Sequence, residues 1–398
     1  MISSLLSTIF DYRGVILFYS LIILIIYVNR DKFDKQGIAF LYRTKLGLHL
    51  MDKAGKRLRK FVKALGYIGI FVGYLGFFLI TFLLVKNAYD LVLNKPGAVG
   101  GSPVIPGLPV AGTGLVFPLI IGWISLFIIM VVHEFSHGVV ARAHNIKVKS
   151  SGLAFFGPIM GAFVEPDQKD LSTKKQGAQL SVFAAGPFSN ILLWILCIGL
   201  ILLITPQLNA LTYSQGVKIN IMQDETLPAY SAGLPNITTI SMINDYPIKS
   251  VKNLTDALET IEPGDNLTLE TKEGYTYNLT TVANPDNKNE SYIGIWLIGE
   301  DRIKKDDKLS TRILHQVLSW LSELFQWTGF ISINIGLINL FPIFITDGAQ
   351  MLRANFESIF KDEKKGTKVW RDINIVLSLV IVIIIFYPLL RNIVRAII

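Results

Sequence analysis

The chain has 398 residues, of which 51% are hydrophobic and 17% charged, with a formal net charge of +8. Soluble domains carry roughly 25% charged residues, so a disordered chain, a nucleic-acid-binding tail protein and an ordinary cytosolic enzyme are excluded and an integral membrane protein is indicated. The surplus charge has a location: eleven Lys/Arg lie between Arg30 and Lys63, directly after an apolar stretch, as in a cytoplasmic membrane flank and not a nucleic-acid groove.

The first apolar stretch, Gly14 to Asn29, is uncharged and about 24 Å long as a helix, short of a hydrocarbon core of roughly 30 Å. Either Arg13 snorkels or the span begins near Leu5. No small-residue cleavage site follows, so the stretch reads as an uncleaved span and not a signal peptide. Ala64 to Val85 is a second span. Pro96 to Val132 is uncharged, but Pro96, Pro103, Pro106, Pro109 and Pro118 crowd its first half. That half is expected to be a loop or re-entrant segment, with a helix beginning near Pro118. Ala178 to Ile204, ended by Pro206, Leu324 to Leu340 and Ile373 to Leu390 complete six expected spans. Cys197, the single cysteine, excludes an intrachain disulfide and a thiolate metal cluster.

Residues 213–299 differ in character. They are rich in Asn and Thr and alternate as strands do, in 216–221, 267–270 and 275–279, with one helix-like stretch from Leu254 to Ile261. The expected organisation is therefore an N-terminal part with spans and a basic loop (1–114), a membrane half (115–212), an inserted β-rich domain (213–299) and a second membrane half (300–398). Segments 30–63, 142–175 and 353–371 are basic, whereas 86–115 holds only Lys86 and Lys95. The positive-inside rule puts the first three in the cytoplasm and the inserted domain outside. Five Asn-x-Ser/Thr sequons, at Asn236, Asn253, Asn266, Asn278 and Asn289, all fall in the inserted domain. They agree with an outer location, or arise by accident in an Asn/Thr-rich segment.

The third span ends in His133-Glu134-Phe135-Ser136-His137. Residues four apart share a helix face, so both imidazoles can reach one ion, with Glu134 placed to take a proton from an attacking water. Interface histidines that merely satisfy hydrogen bonds are the alternative, but ionisable groups inside a span are costly and functional by default. Two histidines leave a catalytic zinc one protein ligand short. Asp347, in Asn339-Leu-Phe-Pro342-Ile-Phe-Ile-Thr-Asp347-Gly348, is the third candidate, because the helix must break there and broken backbone at membrane depth lines a cavity or is buried. The competing use of Asp347 is as a helix N-cap. His49, His144 and His315 are not obvious ligands.

Together, His133-Glu-Phe-Ser-His137, Asn339-x-x-Pro342-x-x-x-x-Asp347-Gly348 and the segment Ala185-Gly186-Pro187-Phe188-Ser189-Asn190 resemble the site-2 protease family of intramembrane zinc metalloproteases. The inserted domain resembles a PDZ domain in Pro228-Ala-Tyr-Ser-Ala-Gly233-Leu234 and in the run from Ile240 to Ile248. The likeness covers about 115–390. It implies a polytopic α-helical fold with one Zn2+ per chain on His133, His137 and Asp347, and Glu134 as general base. It adds Asn339 as a donor to the oxyanion, against the alternative of a helix–helix hydrogen bond. Gly186 and Asn190 are expected to serve close packing. Val148 to Pro166, broken at Gly157-Pro158, looks like a short membrane-embedded β-hairpin; the similar segment in the family is thought to pair with substrate, against the alternatives of a simple loop or a sheet that only packs the bundle. The implied activity is regulated intramembrane proteolysis of membrane proteins, such as single-span tethered regulators, with the bilayer as the other partner and the active site opening to the cytoplasm. The competing readings are an inactive PDZ-bearing scaffold or chaperone, and a zinc transporter; the second lacks a chain of ligands through the membrane.

Overall fold

A computed structural model describes residues 12–37, 39–93, 95, 100–101, 104–110, 116–285, 287–306, 308–360 and 362–397. A span starting near Leu5 and the prolines at 96 and 103 lie outside the described residues. The chain divides into two compact units: residues 1–201 with 323–398, and residues 202–322.

The first unit opens with α1 (Arg13–Val28) and a short turn, followed by β1 (Asp34–Gln36), β2 (Ala39–Thr44) and α2 (Leu48–Arg57). The segment expected as a basic loop is thus folded. α3 (Arg59–Val92) and α4 (Leu119–Ala143) follow. α4 starts directly after Pro118, because proline presets the helical φ and gives up only a donor that the first turn leaves unpaired. The part of the preceding loop that is described packs on the helices: Tyr19 donates to the Pro106 carbonyl (2.9 Å) and Phe117 is fully buried.

β3 (Val148–Phe156) and β4 (Ile159–Pro166) form a hairpin, turning at Gly157 with φ +60°. Gly157 suits the position because that φ is strained for residues with a Cβ. The hairpin is half of an antiparallel sheet in the order β1-β2-β3-β4, so β2 pairs with β3 and β4 is an outer strand. Arg43 ties the sheet across its strands to Asp34 (3.0 Å) and Glu165. The Ser150 hydroxyl (2.8 Å), then Arg43, hold Glu165 below the usual carboxylate range. α5 (Gln168–Ser172) leads into α6 (Gln176–Leu211).

Helix packing in this unit runs through glycine. A Cβ on Gly66 or Gly69 of α3 would press on Ser181 or Phe188 of α6, at 3.1 and 3.3 Å. One on Gly138 of α4 would lie 2.4 Å from the Met51 sulfur of α2. Small residues at such crossings let backbones approach, which is how helices associate where no hydrophobic effect drives them together. The opposite surface of α3 shows Phe71, Phe78 and Phe82, each more than 60% exposed, a face suited to lipid.

In the second unit β5 (Thr212–Ile221), α7 (Pro228–Ser231), β6 (Ile237–Ile243), β7 (Tyr246–Pro247), α8 (Val251–Glu259), β8 (Asn266–Thr271), β9 (Thr276–Thr280), β10 (Val282–Ala283), β11 (Ser291–Tyr292) and β12 (Ile295–Lys304) follow in order. The main sheet is antiparallel, ordered β12-β5-β6-β8-β9, with β7 paired to β6. Its inward residues alternate: Val217, Ile219 and Ile221 are buried while Lys218 is exposed. α8 is capped by the Ser250 hydroxyl, which accepts from the Asn253 amide (3.1 Å), and it adds Leu254 to the core. Two sequons face each other: Asn266 stands opposite Thr280 and Thr268 opposite Asn278. Each threonine hydroxyl donates to the facing asparagine oxygen, at 2.9 and 3.0 Å. Those two sequons therefore have a structural role as a cross-strand ladder.

The chain returns through α9 (Leu309–Leu340), α10 (Asp347–Phe360) and α11 (Glu363–Ile397). Among the described residues, four helices are long and apolar enough to cross a membrane: Arg59–Val92, Leu119–Ala143, Gln176–Leu211 and Lys364–Tyr387. Arg13–Val28 is apolar but only 16 residues long. Leu309–Leu340 is long but carries Gln326, Asn334 and Asn339 in the stretch expected to span.

Candidate metal centre

His133, Glu134 and His137 lie on the second half of α4, and both imidazoles are buried. His133 Nε2 is 3.2 Å from Asp347 Oδ2 and His137 Nε2 is 3.4 Å from Oδ1. The three ligand atoms lie within 4.8 Å of one another. Atoms bonded tetrahedrally to zinc at ~2.0–2.1 Å stand roughly 3.4 Å apart, so two nitrogens and a carboxylate held in this way fit one zinc ion.

Asp347 reaches the histidines because of how the chain turns before it. α9 stops at Leu340, and the Thr346 hydroxyl donates back to the Phe341 carbonyl (2.7 Å) while accepting from the Ala349 amide (3.3 Å). The cap of α10 is therefore Thr346, three residues before Ala349. The capping role open to Asp347 is taken, and its carboxylate turns to the imidazoles. Gly348 has to be glycine, since a Cβ there would lie 2.0 Å from the Leu340 carbonyl oxygen.

The far sides of both rings rest on α6. His137 Nδ1 is 2.7 Å from the Val182 carbonyl oxygen, and His133 Nδ1 is 3.1 Å from the Asn190 carboxamide. Between them, at helical spacing, sits Gly186, where a Cβ would fall 2.3 Å from His137 Nε2 and 2.5 Å from His133 Nε2. Gly186 and Asn190 were expected to serve helix packing; what they pack against is the pair of imidazoles. The readable signal was the four-residue spacing of Val182, Gly186 and Asn190, which puts them on one face, but nothing local says what that face meets.

Glu134 accepts a hydrogen bond from the Val164 amide of β4 (2.8 Å). The site opens into a cavity of about 520 Å³ lined by Glu134, the three candidate ligands, Asn339, Gln350 and Arg353. All five residues singled out from the sequence thus border one space. Two of the other histidines have hydrogen-bond partners of their own. His144 bonds Ser181 (3.0 Å), and burial, with Lys63 and Arg59 nearby, pushes it down to about 4, so it stays neutral. His315 lies beside Ser319 at 3.5 Å.

A model of peptidase family M50 matches residues 121–381, more than half of the chain. An uncharacterized protein of Methanocaldococcus jannaschii is 30% identical over 366 residues, covering 89% of this chain and 88% of its own length.

The Gly186 contact sets up a direct test. A Gly186→Ala methyl would occupy the space against both Nε2 atoms, so zinc in the purified protein, measured by elemental analysis, should fall to about a tenth or less. Gly199→Ala, on the same helix with nothing within 4 Å, should leave zinc unchanged. Full zinc occupancy in both variants would mean that Gly186 does not bound the metal centre.

Proposed function

This chain belongs to peptidase family M50, the site-2 type of membrane metalloprotease, and from that premise we propose that it hydrolyses a peptide bond in or near the transmembrane helix of a membrane-protein substrate, using one zinc ion. The observation that carries the reading is the meeting of His133, His137 and Asp347 with Glu134 at one cavity.

His133, His137 and Asp347 would hold the metal. Zinc, when bound, supplies Lewis acidity, polarising the scissile carbonyl and acidifying the attacking water. Glu134 takes the proton from that water and returns it to the leaving amine. The Val164 amide orients the Glu134 carboxylate. Asn339, on the cavity wall, donates to the developing oxyanion. Water arrives by a polar route, as hydrolysis inside a bilayer requires. A second cavity of about 310 Å³, bordered by Gln179, Ser172 and Glu357, shares Gln168, Gln350 and Arg353 with the first.

The substrate has to be extended, since a helix hides its carbonyls in its own hydrogen bonds. β4 is an outer strand whose Val164 amide points to Glu134 and away from β3. By strand alternation the amides of Ala162 and Met160 turn the same way. We take this edge as the surface to which an unwound substrate adds a strand. Backbone pairing satisfies groups that otherwise cost several kcal/mol each in a dry environment.

The second unit, an antiparallel sheet packed with α8, supports the PDZ-like reading, and we place it outside the cell, with the metal cavity opening to the cytoplasm. Of the sequons, Asn236 and Asn289 remain as exposed positions away from the β8–β9 ladder. These, with the basic segments 30–63, 142–175 and 353–371, support the orientation.

Three measurements test these statements. Glu134→Gln should keep zinc and lower cleavage of a model membrane substrate by at least roughly a thousandfold, while Asp347→Ala should lose zinc and activity together; retention of zinc in Asp347→Ala would remove Asp347 from the ligand set. Ala162→Pro deletes an outward donor without touching the β3 ladder and should cut turnover about tenfold or more at unchanged zinc. Normal turnover with proline at both 160 and 162 would show that substrate does not pair there. Cysteines introduced at Asn236 and Asn289 should react with an impermeant thiol reagent in intact cells. Reaction only after lysis would invert the topology.

A further inference from the structure

We propose that Asn190 is a positioning residue for the metal ligand His133: its side-chain carbonyl oxygen accepts the Nδ1–H of that ring and so presents Nε2 bare to the ion. The proposal rests on the zinc-site reading above and adds a residue to it.

The two candidate ligand rings are held by different partners. His137 Nδ1 faces the Val182 carbonyl (2.7 Å). A carbonyl only accepts, so this ring carries its hydrogen on Nδ1 and its Nε2 is free to bind. His133 has no backbone carbonyl at that place. Its Nδ1 faces the Asn190 carboxamide, with Nδ2 at 3.1 Å, while Asn190 Oδ1 is buried without a hydrogen-bond partner. A carboxamide's oxygen and nitrogen have nearly the same shape, and their assignment follows from the hydrogen-bond network. If Nδ2 donates to His133 Nδ1, the hydrogen of a neutral ring must sit on Nε2, the atom that faces Asp347 and would bind the metal. A half-turn of the carboxamide removes that conflict and gives the buried oxygen a partner.

The rest of the residue is fixed in place. Asn190 is fully buried, and its backbone carbonyl accepts from the Ser332 hydroxyl of α9 (2.8 Å). Gly336 of α9 lies close enough that a Cβ there would come within 3.1 Å of the Asn190 Cβ. With the main chain held against α9, the carboxamide has little to choose besides its own rotation, and the His133 ring inherits its orientation.

The test uses the full-length protein in detergent and reads zinc affinity by competition with a coloured chelator. Asn190→Asp places an oxygen that can only accept against His133, so zinc should bind within about threefold of wild type or more tightly. Asn190→Leu keeps the size but offers no acceptor, and affinity should fall about 10–100-fold, the usual effect of removing a partner behind a ligand. The acceptor role is overturned if Asn190→Asp weakens zinc as Asn190→Leu does, or if Asn190→Leu binds like wild type. Should Asn190→Leu fail to fold, Asn190→Asp decides alone, because a donor role for the carboxamide predicts weakening there. The zinc-site reading fails separately, by the wild-type protein binding no zinc or by Asp347→Ala keeping it.

Discussion

Within a membrane-spanning helical bundle, a polar group has to find a partner in the protein or line a polar cavity, or it costs several kcal/mol. The cluster of His133, His137 and Asp347 meets that demand on all sides: the carboxylate faces both Nε2 atoms, and both Nδ1 atoms face α6. Most of the first unit can be read as the support for this one arrangement. α4 supplies the rings, α6 their backing, and the α9–α10 turn the carboxylate.

Glycine makes the support close enough. Gly186 brings the α6 backbone onto the imidazoles, and Gly348 folds α10 back on the Leu340 carbonyl. A Cβ on Gly73 or Gly76 of α3 would lie 3.3 Å from Met351 or 2.5 Å from Leu340, the residues on either side of the Asp347 turn. α3 thus steadies the ligand-bearing turn without contributing a ligand. Close contacts of this kind are unforgiving, since interiors are packed at crystal-like density.

The segment between α1 and α3 shows how charge and structure coexist. Its lysines and arginines read, in the sequence, as a membrane flank, yet β2 pairs along β3 from Ala39–Phe156 to Thr44–Ser151, and Met51 packs on Gly138. A polar edge is thereby covered, leaving β4 as the outer strand next to Glu134. In the second unit the Asn–Thr ladder across β8 and β9 likewise gives Asn266 and Asn278 a role that their motif alone does not reveal.

What could be read from the sequence was local. Apolar runs gave the main helices because length and hydropathy are properties of a segment. The His133–His137 spacing put two rings on one face because a helix repeats every 3.6 residues. The strands near 216–221 and 267–270 declared themselves by alternation, and Pro118 marked the start of α4. The tertiary structure decided the rest. Asp347 was open to capping or to ligation until Thr346 was seen to take the cap. Gly186 and Asn190 were ordinary small and polar residues of a span until α6 was laid against α4. β1 and β2 were invisible inside a basic segment, because a strand's partner lies far off in the chain and its pairing energy is not written in its own residues.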